Sequence, residues 1–133
     1  MRALDRAHIN APNAPTPIAY SHAVRMGQIL FISGQLPVDA ERRLVAPGDL
    51  AGQTRQVLEN LTIILKEAGA SWEHVAKLTI FVIGMDRIAE VREARQAFYD
   101  AQGVQPPAST AVGVAGLAIA GALIEIEAYA VLP

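Results

Sequence analysis

The 133-residue chain contains no cysteine, which removes disulfides, thiolate metal ligands and a thiol nucleophile from its possible chemistry. Aromatic residues are only 5%, and 11 Lys plus Arg against 13 Asp plus Glu leave a net charge of −2 with no basic run. A strong electrostatic footprint for nucleic acid is therefore not expected, and no aromatics are interleaved with cations to form a base-stacking platform. No apolar run reaches membrane-spanning length. Residues Met1 to Asn10 carry Arg2, Asp5, Arg6 and His8 without an apolar centre, unlike a secretory signal, so a cytoplasmic protein with no membrane contact is expected. Glycines stand at turns and never precede the Lys and Ser or Thr of a phosphate-cradling loop. No serine sits in a nucleophile elbow, and His8, His22 and His74 are too scattered for a metal triad. Neither a metal nor a nucleotide is expected here.

What the chain does have is apolar side chains: 52% of residues against 18% charged. That exceeds what a lone domain of this size usually needs for its interior, and part of the surplus is expected at subunit contacts. Residues 1–133 read as one domain, with 1–17 as an extended lead-in because Pro12, Pro15 and Pro17 lack backbone donors. Structure is expected to start near Ile18. Ala19 to Val24 and Ile29 to Ser33 predict a hairpin around Gly27, ended by Gly34, with a weaker strand at Leu36 to Val38 interrupted by Pro37. Asp49 can cap a helix whose apolar positions Val57, Leu58, Leu61, Ile64, Leu65 and Ala68 recur every three or four residues up to Gly69. A strand over His74 to Val82 follows, then a second helix capped by Asp86 and running to Ala101, with Ile88, Val91, Ala94 and Phe98 on its apolar face. Strands over Ser109 to Val114 and Leu123 to Val131 flank a loop at Ala115 to Ala122. The fold class is α+β: two helices can cover one face of such a sheet, and self-association is the simplest cover for the other.

Two groups of residues suggest chemistry. In the last strand, period-two geometry sends Glu125, Glu127 and Tyr129 to one face and Ile124, Ile126 and Ala128 to the other. Paired carboxylates on one face suit either a solvated surface or a general acid or base in a cleft. On the second helix, Arg95 falls on the apolar side between Ile88 and Val91, and Arg92 lies at its edge beside Tyr99. Such cations either extend along the rim of the core into solvent or bind an anionic ligand in the paired-donor geometry of a guanidinium.

The segments Ala19 to Val24, Phe31-Ile32-Ser33-Gly34-Gln35-Leu36-Pro37, Gln53 to Leu61 and Leu123 to Ala128, in that order, resemble the Rid family of reactive-intermediate deaminases, also described as L-PSP endoribonucleases. The likeness covers Ile18 to Ala130. It implies a chorismate-mutase-like fold assembled as a homotrimer, with a central barrel, outer helices and small-molecule clefts between subunits. It also implies cofactor-independent hydrolysis of enamines and imines, such as 2-aminoacrylate and its imino tautomer, to a 2-keto acid and ammonia. By position, Tyr20 and Ser33 match pocket-lining residues and Glu125 the acidic residue that directs water. Active members carry Pro-Ala-Arg-Ser or Pro-Ala-Arg-Thr, whose arginine holds the substrate carboxylate. Read against Pro106-Pro107-Ala108-Ser109, this puts Ala108 in the arginine position with Ser109 beside it, both substrate-binding candidates. Arg92 matches a helix position that is commonly asparagine, so a cation is available there instead. The loop Gly116 to Gly121 departs from the usual Leu-Pro-Lys form. Three functions follow: a hydrolase or deaminase, a non-catalytic metabolite-binding or regulatory protein, and an endoribonuclease, the last poorly served by the charge balance.

Overall fold

The computed structural model describes residues 5–133. Its elements are β1 (Arg6–Ile9), β2 (Ala23–Met26), β3 (Ile29–Gln35), α1 (Leu50–Glu67), β4 (Val75–Val82), α2 (Ile88–Gln102), β5 (Ala108–Gly113) and β6 (Ile124–Val131). The strands form one six-stranded sheet in the order β1-β2-β3-β6-β4-β5. All pairings are antiparallel except β4 with β5, which α2 connects as a crossover. β2 and β3 turn through Gly27 at φ 61°, a left-handed conformation that glycine adopts without a steric cost.

Asp49 is extended and its carboxylate accepts the Gly52 N–H at 2.9 Å, which starts α1 as the sequence predicts. The helix buries Val57, Leu58, Leu61, Ile64 and Leu65 on the same side as Leu30, Ile32, Leu78, Ile80, Ile124 and Ile126 of the sheet. α2 is seated by aromatic edges: the Trp72 ring lies 5.2 Å from Phe98 and 5.8 Å from Tyr99, while the indole N–H donates to Thr62 Oγ1 at 2.8 Å. Both helices pack on a mixed sheet, so the α+β class holds. The opposite side of β3 and β6 exposes Ile29, Phe31, Tyr129 and Val131, whose backbones pair as Ile29 with Val131 and Phe31 with Tyr129.

Several expected boundaries move. Structure starts before Ile18: Arg6–Ile9 lies inside the predicted lead-in yet pairs with β2, His8 opposite Val24. The rest of the lead-in is anchored by buried His22, whose Nδ1 accepts the Ala11 N–H at 2.9 Å and whose Nε2 donates to the Pro15 carbonyl at 2.6 Å. Strand β2 begins only at Ala23, because Ile18 to His22 are spent on bends, with Ala19 at φ 61°. β3 runs through Gly34 to Gln35, with an irregularity in its pairing to β6 between Ile32 and Gln35. The weak strand at Leu36 to Val38 reduces to one bridge between Val38 and Leu44. Asp86 does not cap α2: it lies in a short 3-10 turn, Met85–Arg87, and α2 begins without a side-chain cap. His74 likewise belongs to a 3-10 turn, Trp72–His74, ahead of β4. Among the described residues, no helix is long and apolar enough to cross a membrane.

Candidate functional site

Strand β6 keeps its predicted alternation, with Ile124, Ile126 and Ala128 buried and Glu125, Glu127 and Tyr129 on the more open face. Glu125 lies across the backbone of Gly34 on β3. A Cβ placed on Gly34 would stand 2.9 Å from Glu125 Cδ, so any larger residue there would push the carboxyl group from this position. Together with Tyr20, Ser33, Leu36, Arg42 and Ala118, these two residues line a cavity of about 230 Å³. Burial first, and then the neighbouring charge of Glu127, pushes the Glu125 carboxyl above the usual carboxylate range. It holds its proton more readily than an exposed glutamate does.

The walls of this cavity are tied to backbone. The Ser33 hydroxyl donates to the Ser21 carbonyl at 2.6 Å, which leaves its oxygen free to accept from a ligand. Asn60 on α1 donates to the carbonyls of Leu36 and Val38 at 3.1 and 3.0 Å. Arg42, on the loop after Val38, donates through Nη1 to the Thr16 carbonyl at 2.8 Å and to the Tyr20 hydroxyl oxygen at 3.4 Å. The Asp39 carboxylate fixes that loop by accepting from the backbone of Glu41 and Arg43 at 3.0 and 2.9 Å and from Arg43 Nε at 3.0 Å. The hydrogen bond from the Arg43 backbone is the main reason that Asp39 stays below the usual carboxylate range.

A second cavity, of about 320 Å³, opens between α2 and β5 and is lined by Arg92, Arg95, Gln96, Tyr99, Pro107 and Ser109 among others. Arg95 Nε donates to the Tyr99 hydroxyl oxygen at 3.4 Å, and its guanidinium carbon stands 5.8 Å from the Tyr99 ring centre. Burial raises the Tyr99 hydroxyl above its ordinary range, against the opposing pull of Arg95. Arg92 is exposed.

The structure therefore brings Tyr20, Ser33 and Glu125 together, and separately brings Arg92 to Ser109. Ala108 is not among the residues lining either cavity. Glu127 shares a strand face with Glu125 but faces another hollow, beside Phe31, where the Tyr129 hydroxyl donates to it at 3.2 Å. Sequence reasoning missed Gly34 and Arg42. The close approach of two strands selects the first, and an Arg-Arg pair in a short polar loop is the only local hint of the second. Of the histidines, His8 contacts the Ser21 hydroxyl at 2.8 Å, His22 anchors the lead-in and His74 Nδ1 accepts the Ser71 N–H. Among the described residues, no three His, Asp or Glu side chains come together as a metal site.

The sequence pattern of the family described as endoribonuclease L-PSP matches residues 9–132. A RutC family protein of Pyrococcus horikoshii is 43% identical over 89% of this chain and 91% of its own length. The rat protein named 2-iminobutanoate/2-iminopropanoate deaminase is 35% identical over 98% of this chain and 93% of its own. Among solved structures, Escherichia coli TdcF with bound serine superposes with a TM-score of 0.89 at 32% identity, over 96% of this chain and 99% of that one. With its pattern matched from the first strand to the last and its fold shared along nearly its whole length, this chain belongs to the endoribonuclease L-PSP family, whose members are also called RutC and Rid proteins.

Proposed function

We propose that the protein hydrolyses a small imine or enamine metabolite in the Glu125 cavity, releasing ammonia when the substrate is an imine. The observation that carries this reading is a half-buried carboxyl group, inclined to keep its proton, laid over a glycine in a pocket of metabolite size. Imine hydrolysis needs a proton on nitrogen and a water at carbon. Protonated Glu125 supplies the first, and the carboxylate left behind accepts a proton from the water as its oxygen bonds to the carbon. The carbinolamine then collapses: the re-protonated carboxyl gives its proton to nitrogen and takes the hydroxyl proton, the C–N bond breaks, nitrogen leaves as ammonia and the C–O bond becomes a carbonyl. No cofactor enters this balance. Tyr20 and Ser33 offer hydroxyls to orient the substrate. The relative named for 2-iminobutanoate and 2-iminopropanoate supports the substrate class.

The reading includes a cytoplasmic homotrimer. In it, the exposed apolar strip on β3 and β6 and the open edge of β5, all six of whose residues are exposed, are covered by neighbouring copies. Solution mass tests the assembly. For the reaction, an amino-acid oxidase generates 2-imino acids in situ: the expected result is faster 2-keto acid release with the protein present, and loss of that acceleration in Glu125→Ala. Equal rates with and without the protein across several amino acids would reject it.

One observation favours the non-catalytic binding role. Pro107-Ala108-Ser109-Thr110 matches Pro-Ala-Arg-Thr at three of four positions, which puts Ser109 in place of Ala108 at the arginine position, and Ser109 is the β5 residue that lines the cavity with Arg92. Serine then stands where active deaminases have arginine. In this role the protein binds 2-keto acids but leaves imine hydrolysis unaccelerated. RNA cleavage is the lesser reading, and its test is cleavage by the purified protein that Glu125→Ala abolishes.

A further inference from the structure

We infer that Arg42 is the anchor for a substrate carboxylate in the Glu125 cavity, supplied by the same chain that supplies Glu125. This rests on the preceding reading of that cavity as the reaction site. Arg42 lines it together with Glu125, Tyr20 and Ser33. Its Nη1 is used, by the Thr16 carbonyl and the Tyr20 hydroxyl. Among the described residues its Nε and Nη2 make no hydrogen bond, and no carboxylate lies within ion-pair distance of it. Those two nitrogens form the edge of a guanidinium that takes a carboxylate through two parallel hydrogen bonds. The contacts on Nη1 hold the fork still, so less side-chain freedom is lost when an anion binds.

The backbone argues in the same direction. Arg42 sits at φ 64°, in a region that residues other than glycine and asparagine seldom adopt. The Asp39 hydrogen bonds hold the loop there, together with the Arg42 N–H donating to the Asp39 carbonyl at 2.9 Å. A strained residue kept in place by its surroundings and facing a cavity is a candidate for function. Arg42 and Glu125 also line one cavity of about 230 Å³ without pairing, so the Arg42 guanidinium is not already neutralised by Glu125. An anion on Arg42 would further favour the protonated form of Glu125, the form that donates to nitrogen. Arg95 is engaged with Tyr99, and Arg92 lines the separate cavity between α2 and β5.

The ligand class is a small acid with its carboxylate adjacent to the reacting carbon, a 2-imino or 2-oxo acid. Calorimetric titration with 2-oxobutanoate and with its neutral counterpart 2-oxobutanamide, on the parent protein, Arg42→Gln, Arg42→Gly and Arg92→Gln, tests it. The parent is expected to prefer the acid by about 10-fold to 100-fold, the worth of a charge-assisted pair. Both Arg42 variants should erase that preference and Arg92→Gln should keep it. Arg42→Gly relieves the positive φ and so guards against a merely misfolded glutamine variant. In turnover, Arg42→Gln should raise KM far more than it lowers kcat. Unchanged preference in both Arg42 variants, its loss in Arg92→Gln, or no preference in the parent overturns the assignment. A parent that prefers the acid through Arg42 yet hydrolyses no imine rejects the reaction and leaves the anchor standing. Imine hydrolysis with KM unmoved in Arg42→Gln and Arg42→Gly does the reverse.

Discussion

The Glu125 cavity is smaller than the Arg92 cavity, about 230 against about 320 Å³, and the two are differently supported. The first is built on β3 and β6, strands with neighbours on both sides, and its loops are pinned by Asn60, Asp39 and Arg42 to backbone atoms. The second lies between one helix and the edge strand β5, and among the described residues its arginines have only Tyr99 to hold them. Chemistry that depends on sub-ångström placement is better served by the first arrangement, since a small misplacement of a reacting group costs much of the rate. The second suits recognition, which tolerates looser geometry.

Three pairs of substitutions test this contrast, starting with the largest effect. Glu125→Ala should lower imine hydrolysis by about 100-fold or more, the usual worth of a general acid, whereas Arg92→Gln should change kcat by less than about 3-fold. Equal losses would erase the distinction. Asn60→Ala takes the side-chain donor from the buried Val38 carbonyl, while the part-buried Leu36 carbonyl still accepts the Val38 N–H, and should cost about 1–2 kcal/mol in urea unfolding. Arg95→Ala, on the looser cavity, should cost under about 1 kcal/mol. A Gly34→Ala variant pushes Glu125 from its place and should reduce turnover roughly 10-fold while the protein stays folded. Gly116→Ala has open space around it and should leave both rate and stability unchanged.

The smallest effect is on stability against pH. Because the folded state raises the Glu125 carboxyl above its unfolded value of about 4.3, the folded chain binds that proton more tightly. Its stabilising effect is complete below the unfolded value and disappears as pH rises through the folded one. Glu125→Gln cannot ionise, so it should melt higher than the parent near neutral pH, with the gain vanishing towards about pH 4. A melting difference that grew as the pH fell would contradict the burial of this carboxyl group.

Much of the fold was legible because it rests on local periodicity. Helix α1, from its Asp49 cap to Gly69, and the alternation of β6 follow from spacing alone. β1 was not legible: four residues in a proline-containing lead-in carry little pattern, and their strand geometry comes from pairing with β2. The start of α2 was misread because Asp86 has the chemistry of a cap but lies in a 3-10 turn, one residue before the position a cap would need.

The site divides in the same way. Sequence by itself determined that Glu125 would leave the core, since a strand with Ile124 and Ile126 buried must turn the residue between them the other way. Its helical spacing also offered Arg92, and the family resemblance added Tyr20, Ser33, Ala108 and Ser109 as candidates. Only the tertiary structure decided that Glu125 rests on Gly34, that Arg42 enters its cavity, and that Arg92 and Ser109 line another. Those relations join residues far apart in the chain, and local periodicity holds no information about which distant segments pack together.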